Sequence, residues 1–314
     1  MDKYSIYDDI ARRTDGDIYI GVVGPVRTGK STFVKRFMES LVIPNIDNEN
    51  KRSRAIDELP QSAAGRTIMT TEPKFVPNEA VEIKLSDNSA FKVRLIECVG
   101  YMVAGALGSM EDDAPRMVRT PWSNDEMPFE QAAEIGTRKV INEHSTIGLV
   151  ITTDGSIGDI PRHAYEPAEE RVVSELKAIR KPFVMLLNSK RPNGDEAQAL
   201  AKELSAKYEV PVIPVNCLEL GENDIRNVIE KVLFEFPVKE INIAMPSWIV
   251  TLPQDHWLKS SLYGSVLGSA RGINRIADVS GAVCVMGQNE NLKNTLLQSM
   301  NLGDGSVSVD MQLA

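Results

Sequence analysis

The chain is expected to be an α/β protein, with a mostly parallel sheet covered by helices on both faces and a smaller α/β unit after it. Three observations predict this. From residue 18 to about 234, short apolar strand-like runs alternate with longer helix-like segments, at the lengths of strand–helix–strand units. The first run, Ile18-Tyr19-Ile20-Gly21-Val22-Val23, leads into Gly24-Pro25-Val26-Arg27-Thr28-Gly29-Lys30-Ser31, a complete G-x-x-x-x-G-K-[ST] string followed by residues that can open a helix. Beyond Pro237 the rhythm changes, so the expected domains are 1–237 and 238–314.

Composition sets the bounds. With 314 residues, 42% hydrophobic and 25% charged, there is room for one large domain and a smaller one. A net charge of −9 and a pI near 5.1 leave no overall basic footprint, so no nucleic acid partner is expected. Cys98, Cys217 and Cys284 lack close pairing or zinc-ligand spacing and read as reduced cytosolic thiols. No apolar run reaches the ~18 residues of a membrane span, and Met1-Asp2-Lys3 is not the start of a signal peptide. The expected location is cytoplasmic, with any membrane role peripheral.

In chain order, residues 1–16 place Ile6 and Ile10 among Asp8, Asp9, Arg12 and Arg13, as in a short amphipathic helix. The first strand and the glycine-rich loop follow. Backbone N–H groups of that loop and the N-terminus of the next helix form an anion cradle, Lys30 adds charge near the outer phosphates of a nucleotide, and the Ser31 hydroxyl can ligate Mg2+. Gly24, Arg27, Thr28, Gly29, Lys30, Ser31 and Thr32 are therefore the candidate nucleotide-binding residues. The helix is expected over 31–41, with Phe33, Val34, Phe37 and Met38 on its apolar face. Residues 44–66, polar with Pro60 and Gly65, read as a loop or short helix over the site, or as a solvated linker.

Next, Arg66-Thr67-Ile68-Met69-Thr70-Thr71-Glu72-Pro73 occupies the place where nucleotide switches put a threonine that completes the Mg2+ shell. Thr70 and Thr71 are candidate catalytic residues and Thr71 a candidate metal ligand; a threonine-rich strand entry is the alternative. Strands at 81–85 and 91–96 form a hairpin, and the second runs into Glu97-Cys98-Val99-Gly100. Residues 102–127, with Glu111-Asp112-Asp113, Arg116, Arg119 and Trp122, read as an insertion that presents an interface, or as a solvated loop whose tryptophan covers the core. Helices are then expected at 130–144, 167–178 (Pro167 near its first turn), 195–208 and 223–234, and strands at 146–152, 182–187 and 210–215. In the last unit, 240–252 reads as one or two strands interrupted by Pro246, 255–278 as helix, 292–300 as a short helix, and Val307, Val309, Met311 and Leu313 as the apolar face of a strand. That strand runs to the end, which suggests truncation of a longer chain. His256 has no second ligand at metal spacing and reads as structural.

A phosphate loop followed by an apolar strand ending in acid-x-x-Gly resembles the translation-factor-related class of P-loop GTPases. The resemblance implies that Glu97, in place of the usual Asp, helps to hold Mg2+, and that the Gly100 amide meets the outer phosphate. Two departures qualify it. Guanine is read in that class by Asn-Lys-x-Asp, where this chain has Asn188-Ser189-Lys190-Arg191. With the acid replaced by a cation, guanine's donors would go unpaired, so adenine or relaxed specificity is expected, with Asn188 and Lys190 at the base side. Val215-Asn216-Cys217-Leu218 likewise replaces the usual Ser-Ala-Lys-like loop. The second departure is Tyr101, which follows Gly100 in place of a water-orienting Gln. Arg27 stands where cation-dependent relatives carry an Asn that holds potassium. Its guanidinium is expected to supply that charge in catalysis, a solvent-facing side chain being the alternative.

Taken together, GPVRTGKS, RTIMTTEPKFVPNEA, LIECVGY, PRMVRTPW, EQAAEIGTRKVI, EHSTIGLVITTDGSIGD and LLNSKRP resemble the stage IV sporulation protein A family of spore-coat ATPases over residues 1 to about 260. The resemblance implies ATP and Mg2+ as cofactors and self-assembly into a polymeric layer on the outer forespore membrane, in the mother-cell cytoplasm. It also implies other coat proteins and a small membrane-anchoring peptide as partners, and a longer natural chain. Two readings of other classes stay open: a GTPase-like molecular switch, and a nucleotide-binding scaffold without significant hydrolysis.

Overall fold

A computed structural model describes residues 18–59, 72–86, 89–112, 114–301 and 305–313. The expected helix at 1–16, Pro60, Gly65, Thr70 and Thr71 lie outside the described residues. The chain divides into two units, Met1–Val232 and Leu233–Ala314.

In the first unit, β1 (Ile18–Val23) is apolar and almost wholly buried, as a strand covered on both faces must be. Helix α1 (Lys30–Phe37) buries Phe33, Val34 and Phe37 and continues through a wide turn at Met38–Val42. Helix α2 (Glu49–Asp57) occupies part of the polar stretch and is N-capped by Asn48, whose side chain accepts from the Lys51 N–H. An edge hairpin follows, β2 (Lys74–Ser86) and β3 (Ser89–Glu97). β2 starts well before residue 81 because Lys74, Phe75 and Val76 pair with Glu97, Ile96 and Leu95 before the register shifts.

The insertion folds as two small antiparallel hairpins, β4 (Met110–Glu111) with β5 (Ala114–Pro115) and β6 (Met117–Thr120) with β7 (Ser123–Pro128). Within it Arg116 lies 5.0 Å over the Phe129 ring and Arg119 pairs with Glu126 at 3.1 Å, while Trp122 is half-buried at the second turn. Then come α3 (Phe129–Lys139), β8 (Ile147–Thr153), α4 (Arg162–Ala178), β9 (Phe183–Asn188), α5 (Asp195–Tyr208), β10 (Val212–Val215) and α6 (Glu222–Phe234). The sheet order is β10-β9-β8-β1-β3-β2, parallel throughout except for the β2–β3 hairpin. This is a mixed α/β unit with a mostly parallel sheet.

One expectation needs correction here. α4 begins at Arg162, so Pro167 sits inside the helix and not in its first turn. The missing Pro167 N–H forfeits one early backbone bond. The bidentate bond of Arg162 to Glu169, at 2.7 and 2.9 Å, ties the added turn down.

In the second unit, β11 (Glu240–Ala244), α7 (Ser247–Thr251), α8 (Trp257–Ala270), α9 (Ile276–Met286), β12 (Leu292–Asn301) and β13 (Ser306–Leu313) form a sheet of order β11-β13-β12 with helices. The expected strands over 240–252 give way after Pro246 to a short helix that Pro246 caps, and the single helix expected at 255–278 is two, separated near Gly272. The segment 292–300 is a strand, not a helix. Leu292, Leu296, Leu297 and Met300 have helix-like spacing, but antiparallel pairing with β13 along most of its length overrides it. Val307, Val309 and Met311 are buried, as their alternation predicts. His256 caps α8 by accepting from the Leu258 N–H at 3.3 Å. Among the described residues no helix is long and apolar enough to cross a membrane.

Candidate functional site

β1 delivers the chain into the 24–31 loop at the carboxyl end of the central strands. Gly24 has φ +140°, and a β-carbon there would lie 2.3 Å from the Ile151 carbonyl oxygen of β8. Gly29 caps α1 at φ +95°, where a β-carbon would lie 2.3 Å from Asn188 Nδ2. Both positions require glycine for conformation and for space. Thr28 Oγ1 donates to the Pro25 carbonyl at 3.0 Å, and Thr32 is half-buried in the first turn of α1. Arg27 has φ 65° and is exposed, with its guanidinium in electrostatic range of Tyr165 on α4.

Lys30 is only 5% exposed, and its Nζ donates to the carbonyls of Gly24 at 3.3 Å and Pro25 at 2.6 Å. Burial lowers its pKa, and the neighbouring Cys98 and Glu97 oppose that shift. A buried ammonium at a helix N-terminus, held by neutral carbonyls, is suited to an incoming anion. Ser31 Oγ donates directly to the Glu97 carboxylate. Burial pushes the Glu97 carboxyl up, while the Ser31 hydrogen bond and Lys30 pull it down. A hydroxyl and a carboxylate meeting at this point are the hard oxygen donors that Mg2+ takes, so these residues fit the ion. Among the described residues no group of three or more His, Cys, Asp or Glu converges as a metal cluster.

Gly100 forms the opposite wall. It has φ +99°, and a β-carbon would lie 2.2 Å from the Gly24 carbonyl oxygen and 2.7 Å from Lys30 Nζ. Its own N–H, however, donates to Thr137 Oγ1 on α3 at 3.2 Å. The amide expected to face phosphate thus faces a helix in this structure.

Tyr101 pairs with Pro25 in a short parallel bridge and accepts from the Val26 N–H at 2.9 Å. Its side chain is buried, with the hydroxyl donating to Glu175 and the Arg171 guanidinium 4.1 Å over the ring. Arg171 grips Glu134 of α3 through two bonds of 2.5 and 2.8 Å. Tyr101 is therefore a strut, and its side chain is not placed to orient water.

The Arg171 hydrogen bond holds the Glu134 carboxyl below its ordinary value of 4.5. A depressed folded-state pKa contributes stability above the ordinary value, and this is lost as pH falls through the lowered one. Arg171→Leu is expected to lower stability at neutral pH and to flatten the decline in stability below about pH 4.5, as followed by denaturant unfolding across pH.

On the far side, Asn188 ends β9 with both amide atoms engaged. Nδ2 donates to the Thr28 carbonyl at 2.9 Å and Oδ1 accepts from the Cys217 N–H at 3.1 Å. Asn188 staples the 24–31 loop to the 216–218 loop, and the exposed Lys190 lies beyond it, its N–H donating to Ser156 Oγ at 3.0 Å. Gly24, Thr28, Gly29, Lys30, Ser31, Glu97, Gly100 and Asn188 are thus brought together. Sequence reasoning missed Thr137, because a threonine inside a helix carries no local sign of a distant partner.

A family model described as stage IV sporulation protein A, ATPase domain, matches residues 1–237, and one described as the middle domain of the same protein matches 238–314. Stage IV sporulation protein A of Clostridioides difficile (strain 630) is 53% identical over 308 residues, 98% of this chain and 63% of the relative. The Bacillus anthracis protein of that name is 53% identical and the Bacillus subtilis (strain 168) protein 52% identical, each over 311 residues, 99% of this chain and 63% of the relative. The chain therefore spans 63% of the length of these curated relatives.

Proposed function

The chain belongs to the stage IV sporulation protein A family, and on that premise we propose that it binds ATP with Mg2+ at the 24–31 loop, hydrolyses it, and polymerises with copies of itself into a basement layer of the spore coat. The layer lies on the outer forespore membrane, on its mother-cell cytoplasmic side. Other coat proteins and a small membrane-anchoring peptide are the further partners, and contact with the membrane surface is indirect. Residues 1–237 form a P-loop ATPase domain of GTPase-like descent, and residues 238–314 a smaller α/β domain.

The observation that carries this reading is the buried Lys30 amine, held by loop carbonyls beside the Ser31–Glu97 pair. Lys30 binds the outer phosphates, and its low-polarity surroundings strengthen that attraction. Ser31 and Glu97 hold Mg2+ together with Thr71. The ion, when bound, supplies neutralisation of phosphate charge. Thr70, Thr71 and Arg27 act in hydrolysis, while Gly24, Thr28, Gly29 and Thr32 shape the cradle. Asn188 holds the loop in place. Arg191 stands where guanine readers carry an acid, so guanine's donors go unpaired and ATP is accepted, with Lys190 beside it at the base side. One observation favours a scaffold without significant turnover: the buried Tyr101 supplies no group for the attacking water.

Phosphate release from ATP and from GTP by the full-length protein with Mg2+, together with sedimentation after ATP is added, tests the reading. ATP cleavage well above GTP cleavage, with sedimentable protein, is expected. Preferred GTP cleavage would overturn the adenine assignment, and binding of ATP without cleavage would favour the scaffold.

A further inference from the structure

The geometry points to Thr137 as the residue that sets the site's preference for a nucleoside triphosphate over a diphosphate, by competing with the outer phosphate for the Gly100 N–H. This rests on the nucleotide reading above. Gly100 lines the loop with its α-carbon, since a β-carbon there would sit 2.7 Å from Lys30 Nζ. Its amide points the other way, to Thr137 Oγ1 at 3.2 Å. Thr137 is fully buried, and its own hydroxyl proton is committed to the Ala133 carbonyl one turn back at 2.8 Å. That bond fixes the rotor, so the oxygen faces Gly100 as an acceptor.

A buried amide needs an acceptor in every state of the protein. Here the Thr137 oxygen, with the weakly accepting Cys98 sulfur beside it, stands on one side, and an outer phosphate bound beside Lys30 would stand on the other, reached by rotation of the peptide. Phosphate is charged and is the stronger acceptor. It therefore takes the amide, but it gains only the difference between the two bonds. A diphosphate has no outer phosphate and leaves the amide on Thr137. The hydroxyl thus subtracts from triphosphate affinity and leaves diphosphate affinity unchanged. The same helix carries Glu134, whose pair with Arg171 fixes Tyr101, so α3 holds both residues of the Gly100–Tyr101 step.

The test is the ratio of affinities for a non-hydrolysable ATP analogue and for ADP, each with Mg2+, in the full-length protein. Thr137→Val leaves the amide only the weak Cys98 sulfur unless an outer phosphate binds, so the ratio is expected to rise severalfold, up to about tenfold. Thr137→Ser keeps the acceptor and is expected to match the wild type. General loosening of the fold would weaken both nucleotides alike and leave the ratio unmoved. An unchanged or lowered ratio in Thr137→Val, with both nucleotides still bound, would overturn the assignment. Should that variant not fold, Thr137→Ala removes the same acceptor with less crowding and must show the same rise. Failure of the wild type to bind either nucleotide would instead overturn the nucleotide reading itself.

Discussion

Lys30→Ala is expected to lower phosphate release from ATP by about 10²–10³-fold, the loss seen when one preorganised donor to a developing negative charge is removed. The size follows from where the amine sits. Lys30 is 5% exposed and held by the Gly24 and Pro25 carbonyls, so water contributes little to its surroundings. An interaction of that charge with phosphate is screened far less than it would be at a surface. Alanine removes the charge and also takes the Lys30 donor from the buried Gly24 and Pro25 carbonyls, of which Pro25 keeps the Thr28 hydroxyl. Lys30→Arg is expected to fail as well. The space beyond the amine is closed by Gly100, whose missing β-carbon would already lie 2.7 Å away, and a guanidinium has no room there. Phosphate release measured against ATP concentration checks both variants. Activity of Lys30→Ala within threefold of wild type would remove Lys30 from the mechanism.

Glu169→Ala is expected to destabilise the first unit by about 3–5 kcal/mol, the cost of removing one member of a buried ion pair. Thermal unfolding would fall by roughly 10 °C for a domain of this size. Glu169 is completely buried and accepts four hydrogen bonds from three side chains. Arg162 donates to both of its oxygens at 2.7 and 2.9 Å, Tyr208 donates at 2.9 Å from α5, and Thr152 donates from the end of β8. Truncation leaves the guanidinium uncompensated and two hydroxyls without an acceptor. The double change Glu169→Met with Arg162→Met removes both charges, and partial recovery is expected, limited by the Tyr208 and Thr152 hydroxyls. Because the Ile151 carbonyl on β8 is what closes against Gly24, loosening this strand end also loosens the loop. A loss below about 1 kcal/mol in denaturant unfolding would show that the network relaxes around the gap.

Much of the first unit was legible from pattern. β1 runs over the expected residues, and α5 has the expected bounds, Asp195–Tyr208. In both cases the apolar period and the flanking residues agree with the final fold. The failures have particular causes. Residues 292–300 carry apolar side chains at helical spacing, and only the partner strand β13 converts them to a strand. Pro167 reads as a helix start, yet Arg162 and Glu169 hold an extra turn ahead of it. Tyr101 reads as a missing glutamine, whereas the fold uses it as a strut against α4 and α3.

By itself the sequence determined the loop between β1 and α1: glycines at two of its three positive-φ positions, 24 and 29, and a lysine and a serine where the helix begins. These needs are met by consecutive residues, so they are written in consecutive letters. The tertiary structure alone decided the partners. Ser31 meets Glu97 across 66 positions, Gly100 meets Thr137 across 37, and Asn188 reaches Thr28 across 160. Such contacts arise because parallel strands from distant parts of the chain end side by side, where each buried polar group must find its acceptor among whatever neighbours the packing supplies.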